Sequence, residues 1–424
     1  TERNMLEYLM KLGKELMNKV FEEIGTGYAG PKIEKDGLKY KFVDNRSNTL
    51  HGLFGQITYR RAYYMSTEKG GGSYIPVDER LGIEKQHTPG CNYFLSTFTG
   101  REAYQESLNR FHEIFRPDGK DQISMRKALD MDYELGERIE VKRQQEIEQV
   151  FEERQEIEKE NEIQSTIAVS IDATKVRVKL GENVTADGKK KYEIGFRDAK
   201  MGAVSAIGWD EKREEAYCTN SSYVSGIEHA DEFFKRMWVE MTRRAEDLEH
   251  TRIVFLGDGA KWIWDRVPDL ANDNSVFILD FYHACEHVSD LCKELYGQET
   301  EQYWKHFNNW RDLLFEGEAE RFIDELKETR DSNRGKSKGD YIQGQINYFE
   351  ERKEMMHYDQ YIAMNLPIGS GTIESGCKNV IGGRMKQGGM TWSESGADGM
   401  LQIRSSISSD RFLTDFRSTL PNAA

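Results

Sequence analysis

Three carboxylates stand out in the sequence: Asp172, Asp258 and Glu374. Asp172 closes the apolar run 167–172 (IAVSID), Asp258 follows the run 253–256 (IVFL) by one glycine, and Glu374 sits in the first turn of a helix after PIGSGT. Three like charges brought together repel and are stable only beside a cation. An all-oxygen donor set suits Mg²⁺ or Mn²⁺. Two such ions activate a water or hydroxyl and stabilise the leaving oxygen of a phosphodiester, so no serine or cysteine nucleophile is needed. Asp280, after the run 276–279 (VFIL), rivals Asp258; Asp258 is preferred because Gly257 and Gly259 flank it and leave its backbone open to close approach.

These residues are 86 and 116 positions apart, so a fold must gather them. Residues 252–287 read as a βαβ unit: two runs buried on both faces, joined by a helical pattern with Trp262, Ile263, Val267 and Leu270 on roughly one side. In open α/β sheets chemistry collects at the carboxyl ends of the strands. Upstream, 167–172 is a strand, 174–180 alternates and pairs back, 181–189 is a loop, and 192–196 and 203–209 complete an antiparallel meander before a helix over 229–244. A meander feeding two parallel crossover strands is the ribonuclease-H arrangement, with the first strand central and next to the one ending at Asp258. From His287 the pattern turns helical over 286–296, 299–315, 318–329 and 340–365, with a polar turn at 333–338. Trp304, Phe307, Trp310, Phe322 and Phe349 are expected to form a small core of its own.

The N-terminal part carries weaker signals. Residues 1–24 are an amphipathic helix with Leu6, Leu9, Leu12 and Leu16 among its apolar positions, and 38–64 alternate as two or three strands. Helices over 101–115 and from Ser124 onward, joined by Pro117-Asp118-Gly119, suit a helix-turn-helix with Arg126 and Lys127 near the start of the second, or an ordinary helical hairpin. The second helix runs on to Glu160 through a stretch with ten Glu against five Lys or Arg, read as a solvated linker helix or, second, a dimerisation arm.

With 424 residues, about three domains are expected at ~150 residues each. Charged residues make up 31%, and no apolar run nears the ~18 residues of a membrane span, so a cytoplasmic protein is expected. The first residues lack a signal-peptide layout, and the absence of an initiator Met suggests a trimmed start. Five scattered cysteines without a CxxC pair read as reduced thiols. The net charge of −15 argues against a simple nucleic-acid coat but leaves room for a local basic face. Residues 375–393 hold no acid and three basic residues, Lys378, Arg384 and Lys386, read as phosphate contacts beside Glu374. Lys261 could contact a substrate strand and Trp262 could do so or pack its helix. His283 and His287, one helical turn apart, have a spacing that can hold a metal, but without a third soft ligand nearby a structural role is expected. Trp392 is expected in the core.

The motifs GDGAKWIW, LDFYHACEH, IDATKV and PIGSGTIESGCKNVIGGRMKQGGMTWSESGADGMLQIR resemble those of the Kra-type (ISKra) bacterial insertion-sequence transposases, DDE enzymes Mutator-like in plan. YEIGFRDAKMGAVS, GQITYRRAYY and PVDERLGI are also similar, and the resemblance covers residues 49–404. It implies an α/β fold, a ribonuclease-H-like catalytic core interrupted by an all-α insertion, with an N-terminal helical and β DNA-binding region. It also implies that Asp172, Asp258 and Glu374 are the metal-binding catalytic triad, with two Mg²⁺ or Mn²⁺ ions. For His283 and His287 it implies instead a place near that site, positioning substrate. The activity implied is cleavage of transposon ends and strand transfer of the 3′-hydroxyl into target DNA, by a homodimer or higher homo-oligomer in the bacterial nucleoid. Many relatives carry zinc-ribbon cysteines after RRAYY; MSTEKGGGSYIP has none, so no structural zinc is expected. The acidic total leaves open a domesticated DNA-binding regulator without catalysis, and a metal-dependent DNA nuclease shares the same chemistry without strand transfer. The expected division is 1–100 (helix and small β-unit), 101–165 (helix-turn-helix-like region and linker), 166–290 (core, first part), 291–366 (helical insertion), 367–405 (core, final helices) and 406–424 (tail).

Overall fold

The computed structural model describes residues 1–68, 70–83, 86–160, 162–184, 190–333 and 337–420. It divides into two compact units, Thr1–Lys142 with Ser395–Ala424, and Arg143–Glu394.

The first unit opens with α1 (Glu2–Ile24), followed by an antiparallel sheet in the order β1 (Lys32–Lys35), β2 (Leu38–Gly52), β3 (Gly55–Ser66) and β4 (Ser73–Tyr74). Phe21 of α1 is buried with Leu50, Ile57 and Tyr59 of the sheet. Leu9, Leu12 and Leu16 face outward instead, because the face carrying Met17, Phe21 and Ile24 is the one that packs. The short helices α2 (Pro76–Arg80) and α3 (Pro89–Thr99) precede α4 (Tyr104–Phe115) and α5 (Met125–Phe151). Arg116 knits the turn between the last two: its guanidinium donates to the carbonyls of Gly52, Leu53, Phe115 and Asp121. Ser124 Oγ accepts from Lys127 N at 3.2 Å, capping α5.

α5 ends at Phe151, short of Glu160; the acidic stretch is largely solvated over 141–156, and only its apolar stripe is buried there. Leu135 and Ile139 are buried in the first unit, and Ile147 and Ile157 pack with Val239 in the second.

The second unit is a mixed sheet with helices. Its strands are β5 (Thr166–Val184), β6 (Lys190–Asp210) and β7 (Glu215–Gly226), then, after α6 (Ala230–Arg244), β8 (Arg252–Gly257), α7 (Lys261–Trp264) and β9 (Val276–Leu279). Their order is β7-β6-β5-β8-β9; β5, β6 and β7 pair antiparallel, and β5, β8 and β9 pair parallel. The stretches 167–172 and 174–180 are one strand, since a lone Ala173 between β-formers gives the chain no way to reverse. The loop expected at 181–189 lies largely outside the described residues, as does most of the turn at 333–338.

A helical segment follows: α8 (Phe281–Tyr296), α9 (Glu301–Phe315), α10 (Ala319–Asp331), α11 (Ser337–Glu350) and α12 (Tyr358–Ala363). Its Trp310, Phe322 and Phe349 do not form a separate core; they join Ala168, Val254, Leu256 and Ile278 of the sheet in one cluster, while Trp304 is exposed. The opposite face of the sheet, with Ile167, Val169, Ile171, Ile253 and Phe255, packs on Phe233, Met237 and Met241 of α6. This partition follows the two-residue period of a strand. The same alternation puts Asp172 of β5 on the side of the helical segment.

The chain returns through α13 (Gly371–Gly376), a π-helical turn (Cys377–Gly382), α14 (Gly383–Met385) and β10 (Trp392–Ser393), which pairs parallel with β5 at Val178 and Lys179. α15 (Glu394–Ser408) and α16 (Phe412–Ser418) complete the first unit, where Phe412 and Phe416 are buried with Leu135, Ile139 and Ile403 rather than left as a loose tail. Among the described residues no helix is long and apolar enough to cross a membrane.

Candidate active site at the carboxyl edge of the sheet

The strand register sets the heights of the carboxylates. Ser170 pairs with Leu256, so Asp172 and Asp258 each lie two residues past the same rung of neighbouring parallel strands. Gly257 pairs with Leu279, which puts Asp258 and Asp280 level as well.

Asp172 is half-buried. One oxygen accepts from Ala173 N at 2.6 Å and the other from the thiol of Cys377 at 3.3 Å. Burial raises its pKa, and the charge of Asp258 raises it further, against those two hydrogen bonds and nearby His283. Asp258 is half-buried too, with one oxygen accepting from Ala260 N at 2.9 Å. Glu374 is exposed on α13, and its pKa is raised by partial burial and then by the charges of Asp280, Glu286 and Asp172. Burial and, after it, the neighbouring carboxylates both work against ionisation at this edge. Among the described residues, however, no three His, Cys, Asp or Glu side chains stand gathered as a ready metal cage.

Asp280 is spent on structure. It is fully buried, caps α8 by accepting from His283 N at 2.8 Å, and accepts from both the backbone N–H and the hydroxyl of Ser370. Phe281 N donates to Ile368 O at 2.9 Å beside it. These bonds fasten the segment before α13 to the end of β9 and bring Glu374 back to this edge.

The glycine beside Asp258 has another use than the one expected. A Cβ on Gly259 would lie 2.3 Å from the ring of Tyr348, so this position is bare to receive a side chain of α11. The Tyr348 ring stacks on His287 with centroids 4.0 Å apart, and Arg352 lies over it and donates to Gly259 O at 2.8 Å. His287 donates from Nδ1 to Gln345 Oε1 at 3.0 Å, and burial lowers its pKa. It is a packed, structural histidine. His283 is half-buried nearby, 3.4 Å from Glu286, and its charge bears on both Asp172 and Glu374.

The basic residues divide. Lys386 donates to Thr174 Oγ1, two residues from Asp172, and Lys378 is exposed on the π-helical turn. Arg384 is fully buried with its guanidinium 4.9 Å from the Trp392 ring centroid; a core cation cannot serve as the surface phosphate contact expected of it. Trp392 is buried and donates to Met385 O at 3.2 Å. Lys261 is exposed and paired with Asp265 at 2.6 Å, and Trp262 packs edge-on against Phe234 at 6.5 Å, the helix-packing role. In the first unit Arg126 is exposed, 3.3 Å from Asp130, and Lys127 is half-buried.

Cys377, Tyr348 and Arg352 were missed in the sequence. Cys377 had a signal, since it lies three residues after Glu374 and shares its helical face. Tyr348 and Arg352 lie about ninety residues beyond Asp258 in an unremarkable helical pattern, with no such signal.

The family model of the Uncharacterised protein family (UPF0236) matches residues 1–411, and the chain belongs to that family. Curated relatives, each named a UPF0236 protein, come from Caldanaerobacter subterraneus subsp. tengcongensis. One is 23% identical over 402 residues, covering 93% of this chain and 75% of the relative. Another is 24% identical over 409 residues, covering 93% and 74%. A third is 23% identical over 402 residues, with the same two coverages.

Proposed function

We propose that this chain is a DNA transposase that cuts transposon ends and transfers the 3′-hydroxyl into target DNA, using Asp172, Asp258 and Glu374 on a ribonuclease-H-like core interrupted by a helical insertion. The observation that carries the proposal is the level placement of Asp172 and Asp258 on adjacent parallel strands, with Glu374 returned to the same edge through Ser370 and Asp280. Asp172 and Glu374 have pKa values raised first by burial and then by neighbouring carboxylate charges, and a cation at this edge would relieve both. The donor set fits a hard divalent ion in kind, although the three carboxylates must draw together to hold one. Two Mg²⁺ or Mn²⁺ ions held by them would acidify a water or 3′-hydroxyl and offset charge on the leaving oxygen.

The chain's own residues do the rest. The Ala173 N–H and the Cys377 thiol orient the two oxygens of Asp172, and Ala260 N–H orients Asp258. Lys386 and exposed Lys378 lie close to the carboxylates in the chain and offer charge to phosphates.

The names of the relatives add support of another kind. One joins eleven locus designations of a single genome and another joins four. A gene copied to many places in one genome is what a mobile element leaves behind. Dimers or larger assemblies are proposed because two DNA ends must be handled together.

The test incubates wild type and Glu374→Gln with DNA carrying the ends that flank the gene, in Mg²⁺, Mn²⁺ or chelator. Metal-dependent cutting that disappears in the variant is expected. Binding of the ends without cutting under any condition replaces catalysis by the regulator reading.

A further inference from the structure

Beside Glu374 lies a cavity of about 470 Å³ with an aromatic wall. Trp209 at the end of β6, Tyr217 in β7, Tyr282 in α8 and Phe315 at the end of α9 line it. Each is close to half exposed, at 46%, 46%, 59% and 47%. Four large aromatic side chains left open around one hollow are a recognition surface rather than scattered apolar residues. The Tyr282 ring lies directly against the backbone of Gly369, where a Cβ would come within 2.6 Å of it, so this ring is held in place before any ligand arrives.

The charge at the rim limits what can enter. Glu214, Glu215 and Glu374 line the cavity, and its cation, Arg213, lies 3.3 Å from Glu215. A phosphate is repelled by such a rim. A neutral flat ring with hydrogen-bonding edges is not, because its faces stack on the aromatics while carboxylates accept from its amino groups. Glu374 belongs both to this lining and to the carboxylate set, so whatever enters is attached close to the reacting bond.

We propose that the cavity receives one unstacked nucleobase of the DNA strand being cut. The proposal rests on the transposase reading, and the experiment separates the two. Labelled forked duplexes carry a single-stranded arm that is either intact or built of abasic residues, and a fully paired duplex serves as control. Affinities are measured with Ca²⁺ in place of Mg²⁺, for wild type, Trp209→Ala, Tyr282→Ala and Tyr282→Phe, with thermal unfolding to verify folding. Wild type and Tyr282→Phe are expected to favour the intact arm over the abasic arm on the order of tenfold. Each alanine variant should bring the two arms within about twofold while binding paired duplex as wild type does. Equal affinity of wild type for the two arms, or alanine variants that keep the preference, overturns the base pocket and leaves the transposase reading standing. Failure of wild type to bind any of the probes removes both.

Discussion

Asp258 and Asp280 follow neighbouring parallel strands at the same height, yet their surroundings differ completely. Asp280 is fully buried, and its carboxylate is consumed by a helix N-terminus and by Ser370. Asp258 and its other neighbour Asp172 are half-buried, each held mainly by a local N–H, and open to the edge. A strand end by itself therefore does not make a carboxylate reactive. What matters is whether the next helix takes up its oxygens.

Substitutions can break this contrast. The largest effect is expected on activity: Asp172→Asn or Asp258→Asn should lower metal-dependent cutting by about 10³-fold or more, since ion binding at these carboxylates supplies several kcal/mol of the barrier reduction. The urea midpoint of Asp258→Asn should stay close to wild type, and that of Asp172→Asn should not fall below it. Asp280→Ala should act first on the fold, costing about 3 kcal/mol of stability through a lost cap and stranded Ser370 donors, as read by urea unfolding, and should slow cutting only through the loosened station of Glu374. If Asp280→Ala unfolds like wild type but fails to cut, the assignment of roles is reversed.

Smaller effects sharpen it. Gly259→Ala pushes a methyl into the Tyr348 ring and should cost about 1–3 kcal/mol, with a matching fall in the urea midpoint. The smallest effect is in the pH dependence of stability. The pKa of Asp172 is raised, so its contribution is fully present below its ordinary value of 3.8 and is lost as pH rises through the folded value. Asp172→Asn should therefore be the more stable protein at neutral pH without metal, and the gap should close as the solution is acidified. A gap that widens on acidification would mean that the carboxylate is stabilised as an anion.

The strands β8 and β9 were legible because four-residue apolar runs bounded by Gly and Asp leave little choice, whereas the level placement of Asp172 and Asp258 depends on the register of β5 on β8, which no local pattern states. The capping role of Asp280 was also legible in principle, since an Asp just before a helical pattern is a preferred N-cap. The unbroken β5 was hidden by its change of pattern after Asp172, where it passes beyond its parallel neighbour. The fate of Arg384 was not readable, because sequence gives a side chain's charge and not its solvation. The aromatic cavity was equally invisible: its four rings come from four elements between residues 209 and 315, and nothing local marks them as neighbours.

The bonds between Asp280 and Ser370 join residues 90 positions apart. In entropic terms they close the intervening helices into one loop anchored at both ends on the same edge. The edge fixes where that stretch leaves and where it re-enters, and loop-closure entropy rises by only ~0.6 kcal/mol for each doubling of enclosed length. Helices between α8 and α13 can be lengthened, shortened or exchanged for others that still cover the sheet, while Glu374 keeps its station.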